Sequence, residues 1–418
     1  MAAIMLVASL AGCAGPSRLA APPSLLDASV PAGFPKSIRT ASVDWRFLPT
    51  DAKAILERAR STSRDGKLRI LALSGGGAGG AFGAGALVGL TDRGERPDFQ
   101  IVTGVSTGAL LSPFAFLGSQ WDERLTRAFN GTASGDALKR RTVDLFFRPG
   151  LYRGRGLFEL VDRFVTPEMV QAVAREAARG RLLLVATTDL DKEEPVIWDL
   201  GAIAQQGGEQ ARALFRDVLL ASASIPGVFP PVMIHVKSGS RTFDELHVDG
   251  ATTLPFFAFP DALLVNGLPT GVLEGGEVYV LINGQLEALP RTTPARTVPM
   301  VMRSLSAGLR HQARTALALT ASVADRYEMK FRFATLPLDH EAVRMLDLGT
   351  ENMGSLYAYG RRCAERGLLW VSIRQAEDSG ERAMGRVASS GVVAPDAMAA
   401  CPLDAAVAAA QLPLAQVR

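Results

Sequence analysis

Two short apolar runs, each followed by a glycine-rich turn and a second apolar stretch, constrain the fold of this chain most. The run Lys67–Leu73 leads into residues 74–80 (SGGGAGG), and the run Asp98–Thr103 leads into residues 104–108 (GVSTG). Runs of this length and composition are typical of buried strands in a parallel sheet. With helices between strands, this order predicts an α/β fold whose parallel sheet is covered on both faces. Further apolar strands are predicted at Arg181–Thr187, Pro195–Trp198, Leu246–Val248, Glu277–Ile282 and Phe331–Leu336.

The composition speaks against several classes of protein. Of the 418 residues, 48% are hydrophobic and 21% are charged, and 45 basic residues nearly balance 42 acidic ones. This balance is unlike that of a disordered chain or a nucleic-acid binder. The three cysteines, Cys13, Cys363 and Cys401, cannot form a disulfide scaffold, and the four histidines match no metal-binding motif. We expect neither a metal nor a cofactor.

The N-terminal residues resemble a bacterial lipoprotein signal. The apolar run Ala2–Ala11 has about ten residues, whereas a helix needs roughly twenty to cross a bilayer. It ends in residues 10–13 (LAGC), which are similar to a lipobox, although no lysine or arginine precedes the run. Segment 1–13 is therefore interpreted as a signal that ends at Cys13, the residue that would carry the lipid. The alternative is a disordered apolar N-terminus.

The content of proline, alanine and glycine sets the expected domain boundaries. Residues 14–40 contain five prolines and are predicted to be an irregular tether. Residues 41–375 are predicted to form the main folded domain, and residues 376–418 a loosely packed tail. This layout predicts a protein anchored by lipid to the bacterial cell envelope. The alanine that follows the lipobox cysteine favours the outer over the inner membrane.

The first glycine segment permits a second interpretation. Residues 75–80 satisfy the G-x-G-x-x-G pattern of a dinucleotide-binding loop after a strand. That fold normally places an acidic residue at the end of its second strand, where this chain has Thr103 and Gly104. A phosphate-binding P-loop is excluded, because no Lys-Ser or Lys-Thr pair closes the glycine loop.

The second glycine segment has the form of a nucleophile elbow. In G-x-S-x-G, Gly104 and Gly108 permit a sharp turn from strand to helix, and this turn exposes the hydroxyl of Ser106. The alternative is an ordinary turn in which Ser106 caps the helix. If Ser106 is the nucleophile, backbone N–H groups of the preceding glycine loop are suited to bind an oxyanion.

The identity of the base separates two classes of serine hydrolase. An α/β-hydrolase would use a histidine after Ser106, which leaves His311 and His340. His311 lies in a basic helical segment and His340 in a predicted loop, so we expect both to be solvated. Asp249 instead ends an apolar strand and is followed directly by Gly250, although an Asp-Gly pair is also a common turn.

These motifs together resemble the patatin-like phospholipase family. The chain has G-G-G-x-x-G at residues 75–80, G-x-S-x-G at residues 104–108 and D-G-A at residues 249–251, in the order found in that family. Residues 221–231 (ASASIPGVFPP) are similar to the family's segment before the aspartate, and the likeness spans Leu68–Ala251. One departure is Gly79, where many members have Arg or Lys.

The resemblance implies a three-layer α/β/α fold with a mainly parallel central sheet and a Ser–Asp dyad. Ser106 would attack an ester carbonyl, and Asp249 would accept the serine proton and return it to the leaving alcohol. Gly75, Gly76 and Gly77 would hold the oxyanion. The implied substrate is a phospholipid or another acyl ester, and we expect His247 to be a packing residue. The alternatives are a Ser-Asp-His esterase and a catalytically idle, membrane-tethered binding protein.

Overall fold

The structure, a computed structural model, describes residues 18–41, 49–132, 154–259, 267, 271–288, 290–337, 340, 346–372, 375 and 401–403. The predicted signal segment, with Cys13, lies outside these residues. In the described part of the chain, ten strands join in one sheet. They are β1 (Val30–Pro31), β2 (Arg39–Ala41), β3 (Arg69–Leu73), β4 (Ile101–Val105), β5 (Leu182–Asp189), β6 (Glu194–Asp199), β7 (Val232–Ser238), β8 (Arg241–Asp249), β9 (Glu277–Leu281) and β10 (Lys330–Ala334).

Helices cover both faces of this sheet. Each of the two glycine-rich segments leads into a helix, as the sequence predicts. In chain order the helices within the described residues are α1 (Pro49–Ser61), α2 (Gly80–Asp92), α3 (Thr107–Leu117), α4 (Asp122–Phe129), α5 (Gly154–Phe164), α6 (Pro167–Ala178), α7 (Leu200–Gln206), α8 (Gly208–Ser222), α9 (Thr297–Arg326) and α10 (Thr350–Glu365).

Five parallel strands form the centre of the sheet, in the order β5-β4-β3-β9-β10. The antiparallel strands β6, β8, β7 and β1 extend it beyond β5, and β2 pairs with β6. The predicted α/β fold with a mainly parallel central sheet is confirmed, and each strand predicted from an apolar run is present. The strand β7, which forms a hairpin with β8, was not predicted, because its outward residues are polar and its apolar run is interrupted.

The hydrophobic core lies in two layers, one on each face of the sheet. Along β3, Leu71 and Leu73 pack in the larger layer, and Ile70 and Ala72 pack in the smaller one. This alternation is the two-residue period of a strand. The larger layer also contains residues of α2 to α8 and α10, and the smaller layer contains residues of α1 and α9.

The interpretation of residues 14–40 as an irregular tether is wrong for the part that the structure describes. Val30 and Pro31 pair with β7, and Arg39–Ala41 pairs with β6. Ile38 is fully buried in the larger core layer. Proline is compatible with this arrangement because β1 is an edge strand, in which a missing N–H group breaks no ladder.

Cys363 of α10 and Cys401 form a disulfide. This pair was not predicted, because two cysteines 38 residues apart reveal their proximity only in the folded chain. Most of the tail 376–418 lies outside the described residues. Among the described helices, we find none with both the length and the apolar character that a bilayer crossing requires.

Candidate active site

Ser106 lies at the sharp turn between β4 and α3. Its backbone has φ 56° and ψ −126°, a conformation that residues other than glycine rarely adopt. Its side chain is only 4% exposed. A strained strand-to-helix turn is the geometry that a nucleophile elbow requires, and the turn at Ser106 has that geometry.

The glycines on either side of Ser106 are required by close packing. A Cβ atom at Gly104 would lie 2.6 Å from the carbonyl oxygen of Gly108 and 2.7 Å from Cα of Ala109. A Cβ atom at Gly108 would lie 2.4 Å from the carbonyl oxygen of Leu73, the last residue of β3, and 2.6 Å from that of Ser74. Neither backbone can move without shifting the sheet, which explains why both positions hold glycine.

The sheet register brings Asp249 to Ser106. The strand β6 covers one edge of β5 along residues 184–189, so β4 and β8 share the other edge. On that edge Val105 lies opposite Ala186, and Asp249 lies opposite the next residue, Thr187. The strands β4 and β8 therefore lie end to end along this edge. Ser106, which follows β4, lies beside Asp249, the last residue of β8.

Ser106 and Asp249 form a direct hydrogen bond. The Ser106 hydroxyl donates to Oδ2 of Asp249 at 2.6 Å, although 143 positions separate the two residues. Oδ1 of Asp249 accepts from the amide of Ala251 at 2.8 Å, and the Asp249 amide donates to the carbonyl of Ser224 at 2.9 Å. The carboxylate is thus held on both oxygens, in the geometry required for proton transfer from the serine.

The environment of Asp249 adjusts its basicity. Burial raises the pKa of this carboxyl group from 3.8 to about 7, and the hydrogen bonds from Ser106 and from the Ala251 amide oppose the shift. A base with a pKa near the working pH combines a useful ionised fraction with a useful affinity for the proton.

None of the four histidines hydrogen-bonds to Ser106 or Asp249 in the described residues. His311 is exposed on α9, as predicted. The prediction that His340 is solvated is wrong, since it is buried and packs against the ring of Tyr359 at 4.6 Å. His247 packs edge-on against Trp198.

Two backbone N–H groups of the glycine loop have no acceptor in the part of the chain that the structure describes. No residue that the structure describes accepts a hydrogen bond from the N–H groups of Gly76 and Gly77, which begin the turn into α2. The Gly75 N–H, by contrast, donates to the carbonyl of Pro255 at 3.2 Å. The structure therefore corrects the prediction for Gly75: its N–H is occupied. A Cβ atom at Gly75 would approach Cβ of Ser106 to 3.1 Å, so this glycine leaves space for the nucleophile.

Two residues that sequence reasoning missed hold the glycine loop in place. The Ser74 hydroxyl accepts a hydrogen bond from the Asn283 amide at 2.9 Å and donates one to the Gly75 carbonyl at 2.7 Å. The side-chain amide of Asn283 donates to the Ser74 carbonyl at 2.7 Å. Asn283 follows β9, so a polar residue at the carboxyl end of a predicted strand was the available signal.

Ser222, at the end of α8, holds the elbow itself. Its hydroxyl accepts a hydrogen bond from the Ser106 amide at 2.9 Å and donates one to the carbonyl of Ala186 at 2.7 Å. The sequence placed Ser222 in a segment of family resemblance but assigned it no role.

An apolar cavity opens from the nucleophile. It encloses about 100 Å³, and Ser106 and Gly77 form part of its wall. The remaining walls come largely from α3, α5 and the residues after α8, and they are almost entirely hydrocarbon. A pocket with apolar walls of this kind is suited to a hydrocarbon chain. Among the lining residues are Leu110, Phe114, Leu160, Phe164, Ala223 and Phe229.

A second cluster of ionisable groups lies on β5 and β8, where Asp189, Glu245 and His247 approach one another within 4.8 Å. Lys192 lies 3.4 Å from Asp189 and 3.6 Å from Glu245, and Arg39 also pairs with Glu245. Burial alone would raise the pKa of Glu245, but the hydrogen bond with His247 and the ion pair with Arg39 lower it below its usual range. Two cations already balance these carboxylates, and the cluster ties residues 18–41 to the sheet.

Comparison with known proteins identifies the domain. The family model described as patatin-like phospholipase matches residues 71–261, a range that contains the glycine loop, Ser106 and Asp249. None of the curated proteins matches the chain. One similar solved structure is VipD from Legionella pneumophila, with 13% identity and a TM-score of 0.31 over 73% of this chain and 69% of that chain. The chain therefore contains a patatin-like phospholipase domain over residues 71–261.

Proposed function

We propose that this chain is a lipid acyl hydrolase of the phospholipase A type that uses Ser106 and Asp249 as a catalytic dyad. The observation that carries the proposal is the 2.6 Å hydrogen bond from the Ser106 hydroxyl to Asp249 at a strained elbow. The family match supports hydrolysis of lipid esters in general. The dyad and the class of ester bond are our inference from the site.

In the first half of the reaction, Oγ of Ser106 attacks the carbonyl carbon of the ester, and Oδ2 of Asp249 accepts the hydroxyl proton. The negative charge develops on the former carbonyl oxygen. The N–H groups of Gly76 and Gly77 are the donors suited to it. The bond to the leaving alcohol then breaks, the alcohol takes the proton from Asp249, and the acyl group stays on Ser106.

In the second half, water attacks the acyl-enzyme, and Asp249 accepts a proton from that water. The intermediate collapses, the carboxylic acid leaves, and Ser106 recovers its proton from Asp249. The apolar cavity beside Ser106 would hold the acyl chain in both halves, which favours an ester of a fatty acid over one of a polar acid.

The two alternatives from the sequence have less support. A Ser-Asp-His triad needs an imidazole on the nucleophile, and among the described residues none is bonded to Ser106. A binding protein without catalysis has no need for a serine held in a strained conformation against a buried carboxylate.

Paired substitutions test the function. Ser106→Ala and Asp249→Asn should each reduce hydrolysis of a short-chain aryl ester and of phospholipid in mixed micelles at least about a thousandfold. Ser112→Ala is the matched control for the nucleophile, since the Ser112 hydroxyl is buried but bonds only to Ala109 in its own helix. His340→Ala controls for the base.

The wild-type chain should react with a fluorophosphonate probe, and Ser106→Ala should not. Full activity in Asp249→Asn together with a large loss in a histidine variant would assign the chain to the α/β-hydrolase class. Unchanged turnover in Ser106→Ala, with circular dichroism matched to wild type, would exclude Ser106 as the nucleophile.

We further propose that the chain is exported and anchored by a lipid on Cys13 in the bacterial envelope, with the outer membrane favoured. The Cys363–Cys401 disulfide supports export, because such bonds persist in oxidising compartments and are rare in the cytosol. Two acyl chains suffice for stable anchoring without a spanning helix. Fractionation and intact-mass analysis test this: Cys13→Ser should leave the membrane fraction, and an unlipidated wild-type chain in the cytosol would refute it.

A further inference from the structure

The helix α9 carries most of the large hydrophobic side chains that are exposed in the described part of the chain. The described residues include seven large hydrophobic side chains that are exposed, and five of these lie on α9. Four are within its first three turns: Met300, Val301, Met302 and Leu305. A concentration of this kind marks a site of contact with a membrane or a partner, whereas scattered apolar side chains need no explanation.

Only the second half of α9 packs on the domain. From Ala313 onward it buries side chains against the smaller core layer, including Val323 and Ala324. In residues 297–312, no side chain that the structure describes is buried. The helix has 30 residues and is therefore about 45 Å long, whereas the adjacent five-residue strand β10 spans about 17 Å. The first half of α9 must project beyond the sheet.

The topology fixes the direction of this projection. The strands β9 and β10 are parallel neighbours, and α9 lies between them in the chain. The helix therefore runs from the carboxyl edge of the sheet back to the amino edge, with its first half at the carboxyl edge. Ser106 follows the carboxyl end of β4 and lies at this same edge. The projecting half of α9 and the nucleophile share one end of the molecule.

Arginines accompany the apolar residues. Arg303, Arg310 and Arg314 are seven and four residues apart and lie on one face of α9, and Val301, Leu305 and Leu309 follow a four-residue spacing on another. The one acidic residue of the helix is Asp325, in its last turn. This distribution of arginine and aliphatic residues is typical of helices that lie in a membrane interface.

The arginines of this cluster have no ion-pair partner in the described part of the chain. The guanidinium groups of Arg291, Arg303, Arg310 and Arg314 make no ion pair or hydrogen bond there, although Glu287 lies near Arg314. Partial desolvation of the half-buried Arg310, together with repulsion from Arg303, Arg291 and Arg314, lowers the pKa of Arg310, which places the four cations in one neighbourhood. Such a cluster has a strong attraction for a surface of negative charge.

We propose that the first half of α9, together with this arginine cluster, is a docking face for an anionic phospholipid bilayer. The apolar side chains enter the interface, and the guanidinium groups bind lipid phosphates. Docking presents the carboxyl edge of the sheet, with Ser106, to the bilayer. This face is separate from the lipid anchor and does not rest on the proposed hydrolysis, since binding is measurable without turnover.

Vesicle sedimentation tests the proposal with the full chain carrying Ser106→Ala and Cys13→Ser, which prevents hydrolysis and lipidation. The chain should bind vesicles of phosphatidylcholine with phosphatidylglycerol more tightly than phosphatidylcholine alone, and added salt should weaken the binding. Arg303→Gln with Arg310→Gln should weaken binding to anionic vesicles roughly thirtyfold. Val301→Ser with Leu305→Ser should weaken binding to both types of vesicle about tenfold or more.

Matched control variants show whether a loss of vesicle binding is specific to this face. Arg64→Gln with Arg175→Gln removes two exposed arginines elsewhere, and Leu19→Ser with Leu190→Ser removes two exposed leucines elsewhere. Both control chains should bind as the parent does. Circular dichroism checks folding in every chain. Equal losses in the controls, or full binding in both α9 variants, would overturn the proposal.

Self-association is the competing use of this face. Light scattering over the concentrations used for sedimentation should show the same mass for the parent and the α9 variants. A dimer that the α9 substitutions dissociate, with no change in vesicle binding, would assign the face to a second copy of the chain and refute membrane docking.

Discussion

The Ser222 hydroxyl and the Ser106 amide form a 2.9 Å hydrogen bond that joins the end of α8 to the nucleophile elbow. The same hydroxyl donates to Ala186 in β5, so one side chain connects a helix, the sheet and the strained turn. Ser222 is fully buried and its hydroxyl does not touch Asp249. It is a positioning residue for the nucleophile.

Ser222→Ala should therefore lower kcat for a short-chain aryl ester about tenfold or more and leave KM nearly unchanged. The substitution leaves a buried amide without its acceptor, at a cost of about 1 to 3 kcal/mol, and removes one of the restraints on the strained backbone of Ser106. Steady-state kinetics and the rate of fluorophosphonate labelling measure the effect. Ser112→Ala is the control, and an equal loss in that variant would show that the effect is one of general stability.

The local sequence predicted the residues of the proposed elbow and dyad because each depends on a short pattern at a strand end. Gly104, Ser106 and Gly108 lie within five residues, and Asp249 ends an apolar run. Ser222 and Asn283 are different. Their roles depend on contacts with Ser106 and Ser74, which lie 116 and 209 positions away, and no local pattern records such contacts.

Three predictions that the structure corrects also failed because of contacts between residues distant in the sequence. Gly75 belongs to the predicted loop, but its N–H is taken by Pro255, 180 positions later. His340 follows a proline and a polar segment, which predicted exposure, yet the ring of Tyr359 covers it. Residues 18–41 lack the alternation of a strand, yet the open edges of β6 and β7 supply backbone partners. Tertiary contacts decide all three.

The activity of the chain should depend on pH through Asp249. The proposed base must be ionised, and burial raises the pKa of its carboxyl group to about 7. The value of kcat/KM should therefore rise as the pH increases, reach half of its plateau near pH 7, and fall about tenfold per unit below pH 6. A pH profile from 5 to 9 with a soluble aryl ester measures this, and a midpoint below pH 5 would contradict the assignment.

Asp249→Asn should stabilise the fold at neutral and higher pH. An acid whose pKa is higher in the folded chain binds its proton more tightly when folded, so the wild-type free energy of unfolding decreases from about pH 4 to about pH 7 and then levels. Asparagine does not titrate. The free energy of unfolding of the variant, relative to that of the wild type, should thus increase by up to about 4 kcal/mol between pH 4 and pH 8.

Urea unfolding at several pH values measures this difference. Glu123→Gln, at a strongly exposed carboxylate, is the control and should show no comparable trend. A wild-type chain as stable relative to Asp249→Asn at pH 8 as at pH 4 would mean that Asp249 is not buried as a charge.

The apolar cavity should set the preference for the acyl chain. Leu160 of α5 is half-buried in the cavity wall, so a larger side chain there fills space without replacing a fully buried residue. Leu160→Trp should lower kcat/KM for long-chain aryl esters about tenfold relative to butyrate esters, because the longer chain loses apolar contact. An unchanged ratio across a series of chain lengths would place the acyl group elsewhere.

Loss of the Cys363–Cys401 disulfide should destabilise the fold. The bond closes a loop across 38 positions, and a cross-link of this size adds about 2 to 4 kcal/mol to the free energy of unfolding. Cys401→Ala should show that loss in urea unfolding, and Cys13→Ser should not, since Cys13 has no part in the bond.

Thiol titration of the denatured, non-reduced chain gives an independent reading: protein isolated from the envelope should have no free thiol at Cys363 or Cys401. Two free thiols in that material would mean that the bond does not form in the cell, and would remove the support that the disulfide gives to export.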